Sequence, residues 1–204
     1  LSASLGGRYT SDEKEGGVYR QNFTGLYSPL FGNEAAVPGL VRSDYTNDRT
    51  FDQFTPRASV SYEFTDTITT YASYSEGFKS GGFDMRGDVV LTPDTVNGYD
   101  PETVQSYEIG AKGTLFDDRL SYNFAAFYAD YSDQQITRQQ PTVTGSIASF
   151  VDNAGASTIQ GVELEGTVQF SDRLSLNYGV GWTDAEFDKY ETYQVITNPA
   201  PPPA

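Results

Sequence analysis

Neither cysteine nor histidine occurs among the 204 residues. Without cysteine there are no disulfides and no thiolate-bound metals, and the redox compartment stays open. Without histidine there is no Ser-His-Asp or Cys-His nucleophilic system and no imidazole-bound zinc. Also missing is any run of about 18 apolar residues, the minimum for a membrane-spanning helix. Basic residues are scarce: 13 Lys and Arg against 28 Asp and Glu leave a net charge of −15, which repels nucleic-acid phosphates and excludes a DNA or RNA partner. Apolar residues reach only 37%, which is low for a chain held together by one dense core.

What is present is aromatic and flexible. Fifteen Tyr, 13 Phe and 20 Gly against a single Met favour strands joined by turns, and hence an all-β fold. Three turns share one pattern: Phe64-Thr65-Asp66 before Ile68, Phe116-Asp117-Asp118 before Leu120, and Phe170-Ser171-Asp172 before Leu174. Each sits between two alternating segments, so the repeat unit is a hairpin whose turn Asp bonds its own backbone. Reading outward gives seven strands, at about 1–10, 54–64, 67–76, 103–115, 119–132, 157–169 and 173–187. The stretches between hairpins, 11–53, 77–102, 133–156 and 188–204, read as long irregular loops rich in Gly, Asp, Asn and Pro. Both ends read as boundaries inside a larger protein, the first within a strand and the last in the extended "NPAPPPA".

Within the strands the phase separates two kinds of side chain. Phe54, Ala58, Val60, Tyr62 and Phe64 share one face, as do Tyr107, Ile109 and Ala111, then Val162, Leu164 and Val168, then Leu176, Tyr178, Val180 and Trp182. Arg57, Glu63, Glu108, Lys112, Glu163 and Glu165 all occupy the opposite phase. Two architectures satisfy this alternation. A soluble β-sandwich buries the apolar faces between two sheets, whereas a transmembrane barrel turns them to lipid and its charges to a wet lumen. Three features favour the barrel: strands of membrane-spanning length, aromatics grouped toward the strand ends with Ala, Val, Ile and Gly between them, and short turns on one rim with long loops on the other. Seven strands do not close a bacterial barrel, so the expectation is an antiparallel meander forming an arc of a larger one.

The segments "YASYSEGFKSGGF" (71–83), "YDPETVQSYEIGAKGTLFDDRLSYNFAAFYADYSDQQI" (99–136) and "VDNAGASTIQGVELEGTVQFSDRLSLNYGVGWTDAEF" (151–187) resemble the barrel of TonB-dependent receptors of the Gram-negative outer membrane. The resemblance covers nearly the whole chain. It implies a barrel of about 22 strands closed by an N-terminal plug. It further implies import of scarce cargo, most often ferric siderophores, with energy relayed by the TonB complex through the plug. No plug, TonB-contacting segment or aromatic-terminated last strand is recognisable in these residues, which places the arc in the C-terminal half of such a barrel. The partners so implied are outer-membrane lipid, the TonB complex and a metal-chelate or other small cargo, with no resident cofactor.

Candidate sites follow from the loops. Phe78, Lys79, Phe83, Arg86, Tyr99 and Arg138 combine aromatic contact area with cations that grip carboxylates or catecholates, and are the expected cargo contacts. Single aromatics among them also fit a role in packing loop against loop. "SDYTNDRTFD" offers Asp44, Asn47, Asp48 and Asp52 as hard oxygen ligands for calcium, although their spacing is not that of an EF-hand and solvated loops account for them more simply. Glu163 and Glu165 form a carboxylate pair, but lumen-facing periodicity already explains them, so no enzyme is expected. A haem receptor normally supplies an axial His, which this sequence lacks. The alternative of a different class is a soluble β-sandwich or adhesin-like binding module assisted by calcium.

Overall fold

The computed structural model describes residues 1–22, 38–141 and 147–192. They form one seven-stranded antiparallel sheet in meander order: β1 (Ser2–Gln21), β2 (Val41–Thr65), β3 (Ile68–Lys79), β4 (Glu102–Leu115), β5 (Leu120–Pro141), β6 (Ile147–Ser171) and β7 (Leu174–Tyr190). The only helical element among these residues is a 3₁₀ turn, Pro93–Asn97. No helix is long and apolar enough to cross a membrane, a statement that does not bear on strands.

Cross-strand register carries the alternation across the whole sheet. Leu5 lies opposite Ala58, Ala58 opposite Tyr74, Tyr74 opposite Tyr107, and Tyr107 opposite Tyr128; Val162 faces Trp182 and Leu164 faces Val180. All these belong to one apolar face. Nothing in the described residues covers it: Ile109, in the middle of the sheet, is 60% exposed. A sandwich formed within the described residues is therefore excluded, because its second sheet would have to lie on this face. Tyr74, Tyr107 and Tyr128 make a row of ring contacts 5.0 and 6.4 Å apart along the face. Phe54 and Phe64 bracket the apolar stretch of β2, and ten residues at about 3.4 Å each, tilted by about 40°, give a band of roughly 25 Å, the height of a barrel's lipid-facing belt.

The three repeated turns occur where expected, but the expected bond from the turn Asp to its own backbone is replaced in all three. At the first and third, the hydroxyl preceding the Asp accepts the turn N–H: Thr65 Oγ1 from Thr67 at 3.3 Å, and Ser171 Oγ from Arg173 at 3.4 Å. At the second, Phe116, Asp117 and Asp118 are all left-handed, and the Thr114 hydroxyl donates to Asp118 at 2.6 Å. Asp tolerates this conformation because its short polar side chain bonds locally.

At the opposite rim the structure corrects the reading of the long stretches. Residues 11–21 and 41–53 are not irregular but continue β1 and β2, paired from Ser11↔Asp52 to Gln21↔Val41. Likewise 133–141 and 147–156 continue β5 and β6, and 188–190 end β7. Alternation fades there because the outer face meets water while the inner face, though partly buried, carries mostly polar residues, so ladder hydrogen bonds persist without an apolar stripe. The tail "NPAPPPA" lies outside the described residues. Two tall hairpins, β1–β2 and β5–β6, thus flank the shorter β3–β4 pair, whose ladder stops at Lys79 and Glu102 beside Gly81, Gly82 and Pro101.

Candidate functional site at the mouth of the arc

The connection between β3 and β4, residues 80–101, folds back over the charged face between the two tall hairpins. Nearly all fully buried residues gather under it: Val18, Phe51, Arg42 and Ser43 from the first hairpin, Asp84, Asp88, Thr92 and Thr95 from the connection, and Ala154 and Ser157 from β6. Most of them are polar. Their satisfaction therefore depends on specific partners.

Glycine lets the connection settle closely. Phe51 and the Tyr99 carbonyl press on Gly81, and Phe83 is wedged against Gly16 and Gly98; a Cβ at any of the three would collide. Gly98 is also left-handed, with φ +72°. Gly82 and Tyr99 exchange backbone hydrogen bonds of 3.0 and 2.8 Å that close the base of the loop. Within it Asp88 accepts from the Val90 N–H at 3.1 Å and its carbonyl from Leu91 and Thr92, while Thr95 donates to the Thr92 carbonyl at 2.7 Å.

The expected cargo residues do not assemble as one open cluster. Phe78 shares the face of Tyr74 by register and points away from the charged side. Phe83 and Tyr99 are packing groups, the first against Gly16 and Gly98, the second over Gly82. The three cations each meet a carboxylate: Lys79 Nζ lies 3.6 Å from Glu102, Arg86 grips Asp84 through two nitrogens at 2.9 and 3.0 Å, and Arg138 reaches Asp152 at 2.7 Å. Burial alone raises the Asp84 carboxyl, but the Arg86 side chain and the Arg86 and Val151 N–H groups outweigh it and hold it below the ordinary carboxylate range; the same hydrogen bond raises Arg86. Burial and the nearby Asp84 charge push the Tyr45 hydroxyl up. Arg138 also lines a cleft of about 380 Å³ between the 3₁₀ turn and the β5–β6 hairpin, with Asp94, Asn97, Gln140 and Phe150 around it.

The charged face is continuous down the sheet. Glu63, Thr69, Lys112, Asn123 and Glu165 form one row across five strands, so Lys112 is flanked at a distance by two carboxylates. Glu165 accepts from Asn123 Nδ2 at 3.1 Å, and Glu108 from the Tyr71 hydroxyl at 2.7 Å. Glu163 stands opposite Ala125 and Gly181, and Arg57 lies over Gly6. The connection lies on this same side, as the interior of a barrel requires.

The calcium reading fails on geometry. Asp44, Asp48 and Asp52 recur every four residues along β2, about 13 Å apart, while Asn47 points to the other face and donates to the Val96 carbonyl at 2.9 Å. No group of three potential metal ligands of the His, Cys, Asp or Glu types converges among the described residues.

Several residues central to the site were not among those expected. Gln135 Nε2 donates to the carbonyls of Ser80 and Asp100, both at 3.0 Å; Asn153 donates to Asp100 and Asp133 at 2.8 Å and accepts from the Asp100 N–H at 2.7 Å. These two amides clamp both roots of the connection. Asp133, left-handed at φ 54°, marks the irregularity in β5 that brings them into place.

Comparison with known proteins places the chain. The family described as "TonB dependent receptor-like, beta-barrel" matches residues 1–203. Its relatives include the metal-pseudopaline receptor CntO of Pseudomonas aeruginosa, 31% identical over 72% of this chain and 19% of the relative. They also include the ferric-pyoverdine M114 receptor PbuA of a Pseudomonas species (33%, over 66% and 15%) and the ferrichrome outer membrane transporter/phage receptor of Escherichia coli (29%, over 92% and 24%). Among solved structures, the ferric yersiniabactin uptake receptor FyuA of Yersinia pestis superposes with a TM-score of 0.63 at 20% identity, covering 92% of this chain and 25% of that one, a likeness of fold. The chain spans about a fifth of the length of the first of these relatives.

Proposed function

The chain belongs to the TonB-dependent receptor β-barrel family of the Gram-negative outer membrane, and we propose on that premise that it forms about a third of the wall and part of the mouth of an importer for a ferric siderophore. The observation that carries this reading is the pairing of two unlike faces: an apolar one that nothing covers and a charged one over which the β3–β4 connection folds. Lipid meets the first, and the plugged, hydrated interior meets the second. β1 and β7 each leave one edge unpaired, and the strands that continue the barrel pair with those edges.

Cargo class follows from the relatives named for ferric-pyoverdine, ferrichrome and metal-pseudopaline, all metal chelates. The broader class is thus siderophore-like metal complexes, and ferric iron is the member proposed here. Uptake energy reaches the barrel from TonB through the plug. The test is iron-limited growth and labelled-iron uptake by a strain that has only the full-length receptor, offered a panel of ferric siderophores, with and without TonB. TonB-dependent uptake of at least one is expected. A receptor assembled in the outer membrane that imports none of them, nor any other metal chelate, overturns the reading.

A further inference from the structure

The inner face of the β1–β2 hairpin carries a conflict that its own strands leave unresolved. Lys14 and Arg49 stand directly opposite in register. Like charges so placed repel, and sites that break a local rule are where function concentrates. Arg20 lies farther out on the same face, and Arg42 is turned inward where the ladder shifts register between Arg20 and Gln21. One segment answers all four. Lys14 Nζ donates to the Gly81 carbonyl at 2.8 Å, Arg20 to that of Arg86 at 2.8 Å with Asp88 3.8 Å away, Arg42 to the Asp88 carboxylate at 2.8 Å, and Arg49 to the Asn97 carbonyl at 3.0 Å; Arg49 also meets Asp100, just beyond the segment.

That segment, 81–99, holds its shape through its own Asp84–Arg86, Asp88 and Thr92–Thr95 bonds. Its roots are fixed by Gln135 and Asn153, with glycines 81, 82 and 98 at the bends. Such a unit can swing as one body once its bonds from Val151 to Asp84, at 2.7 Å, and from Asn47 to the Val96 carbonyl, at 2.9 Å, are released. Three of the acceptors it offers the wall are neutral carbonyls, which hold cations less strongly than anionic oxygens do.

We propose that residues 81–99 are a displaceable strap that occupies a cationic wall, Lys14, Arg20, Arg42 and Arg49, until an anionic metal chelate takes over those donors. The proposal rests on the importer reading and adds the charge of the cargo and the contact it must break. Strap and cargo compete for the same groups, so apparent affinity is lowered by the fraction of receptors whose strap is closed.

The test uses the full-length receptor in outer membranes and two probes, trianionic ferric tris-catecholate and uncharged ferric tris-hydroxamate, with heat-modifiable migration as the check on assembly. Arg49→Gln is expected to weaken the trianionic complex about tenfold and Asp88→Asn to tighten it several-fold, with the uncharged complex little changed by either. A fixed brace predicts weakening from both, and that outcome overturns the proposal. A disulfide between Ser43→Cys and Val89→Cys, residues already joined by a 3.2 Å hydrogen bond, is expected to abolish uptake of the trianionic complex until reduced. Undiminished uptake by the oxidised receptor also overturns it, as does wild-type binding of the uncharged complex alone. A wild-type receptor that binds neither probe and imports no metal chelate counts against the importer reading itself.

Discussion

The Asp84 carboxylate accepts a hydrogen bond from the Val151 N–H at 2.7 Å, tying the β3–β4 connection to the far tall hairpin. The same carboxylate is gripped by Arg86 of the connection itself, so a single buried acid both shapes the connection and ties it to β6.

Replacing that acid loosens the mouth without unfolding the sheet. Asp84→Ala leaves the Val151 N–H and the Arg86 guanidinium without their acceptor, at a cost of about 1.5–3 kcal/mol. Hydrogen exchange is expected to accelerate at Val151 and across 82–92, while amides of β4 and the lower part of β5 stay protected. Unchanged protection at Val151 contradicts the tie.

The same tie has a definite pH dependence. Because the Asp84 pKa is lowered on folding from its usual 3.8, its contribution is complete above that value and disappears as pH falls through the lower folded value. The protection factor at Val151 is expected to be flat from pH 8 to 5 and to collapse below about pH 4. In Asp84→Asn, whose amide does not titrate, this acid-driven loss should vanish.

The two faces of β6 respond oppositely to charge. Leu164→Glu puts a carboxylate on the lipid side near mid-depth, costing up to about 2 kcal/mol and impairing assembly, whereas Glu163→Leu alters only the hydrated side. Heat-modifiable migration after outer-membrane extraction distinguishes them. Equal assembly of both variants sinks the assignment of faces.

Two glycines of the charged face also differ. A Cβ on Gly110 would run into the Tyr71 ring and the Phe124 carbonyl, while one on Gly179 meets nothing nearer than Glu165 Cβ at 4.0 Å. Gly110→Ala is expected to destabilise the barrel by about 1–3 kcal/mol, and Gly179→Ala to be neutral or stabilising by up to about 1 kcal/mol. Denaturant unfolding of the detergent-solubilised receptor measures both.

The amide clamp at Asn153 provides a fifth check. Asn153→Ala removes three hydrogen bonds at the root of the connection, leaving the exposed Asp100 N–H to water and its carbonyl to Gln135 alone. Limited proteolysis is then expected to cut within 80–101 at least several-fold faster than in the wild type. No change in cleavage rate argues that Gln135 alone holds the root.

By itself the sequence determined the sheet: period-two alternation assigns every side chain of a strand to one of two faces, so the apolar stripe and the opposing row of Arg57, Glu63, Glu108, Lys112, Glu163 and Glu165 were legible from phase alone. It also marked the three tight turns by their repeated residues. The tertiary structure decided what happens beyond the lipid-facing band. There the outer face is wet and the inner face, covered by the β3–β4 connection, is largely polar, so apolar alternation carries no signal, and β1, β2, β5 and β6 run on past their predicted ends. It decided, too, that Arg42 turns inward at a register shift and that Lys79, Arg86 and Arg138 each meet an acid. Arg42 meets Asp88, 46 positions away, through the folding back of one connection, and even the nearer pairs depend on how that connection and the β5–β6 hairpin turn, which strand periodicity does not record.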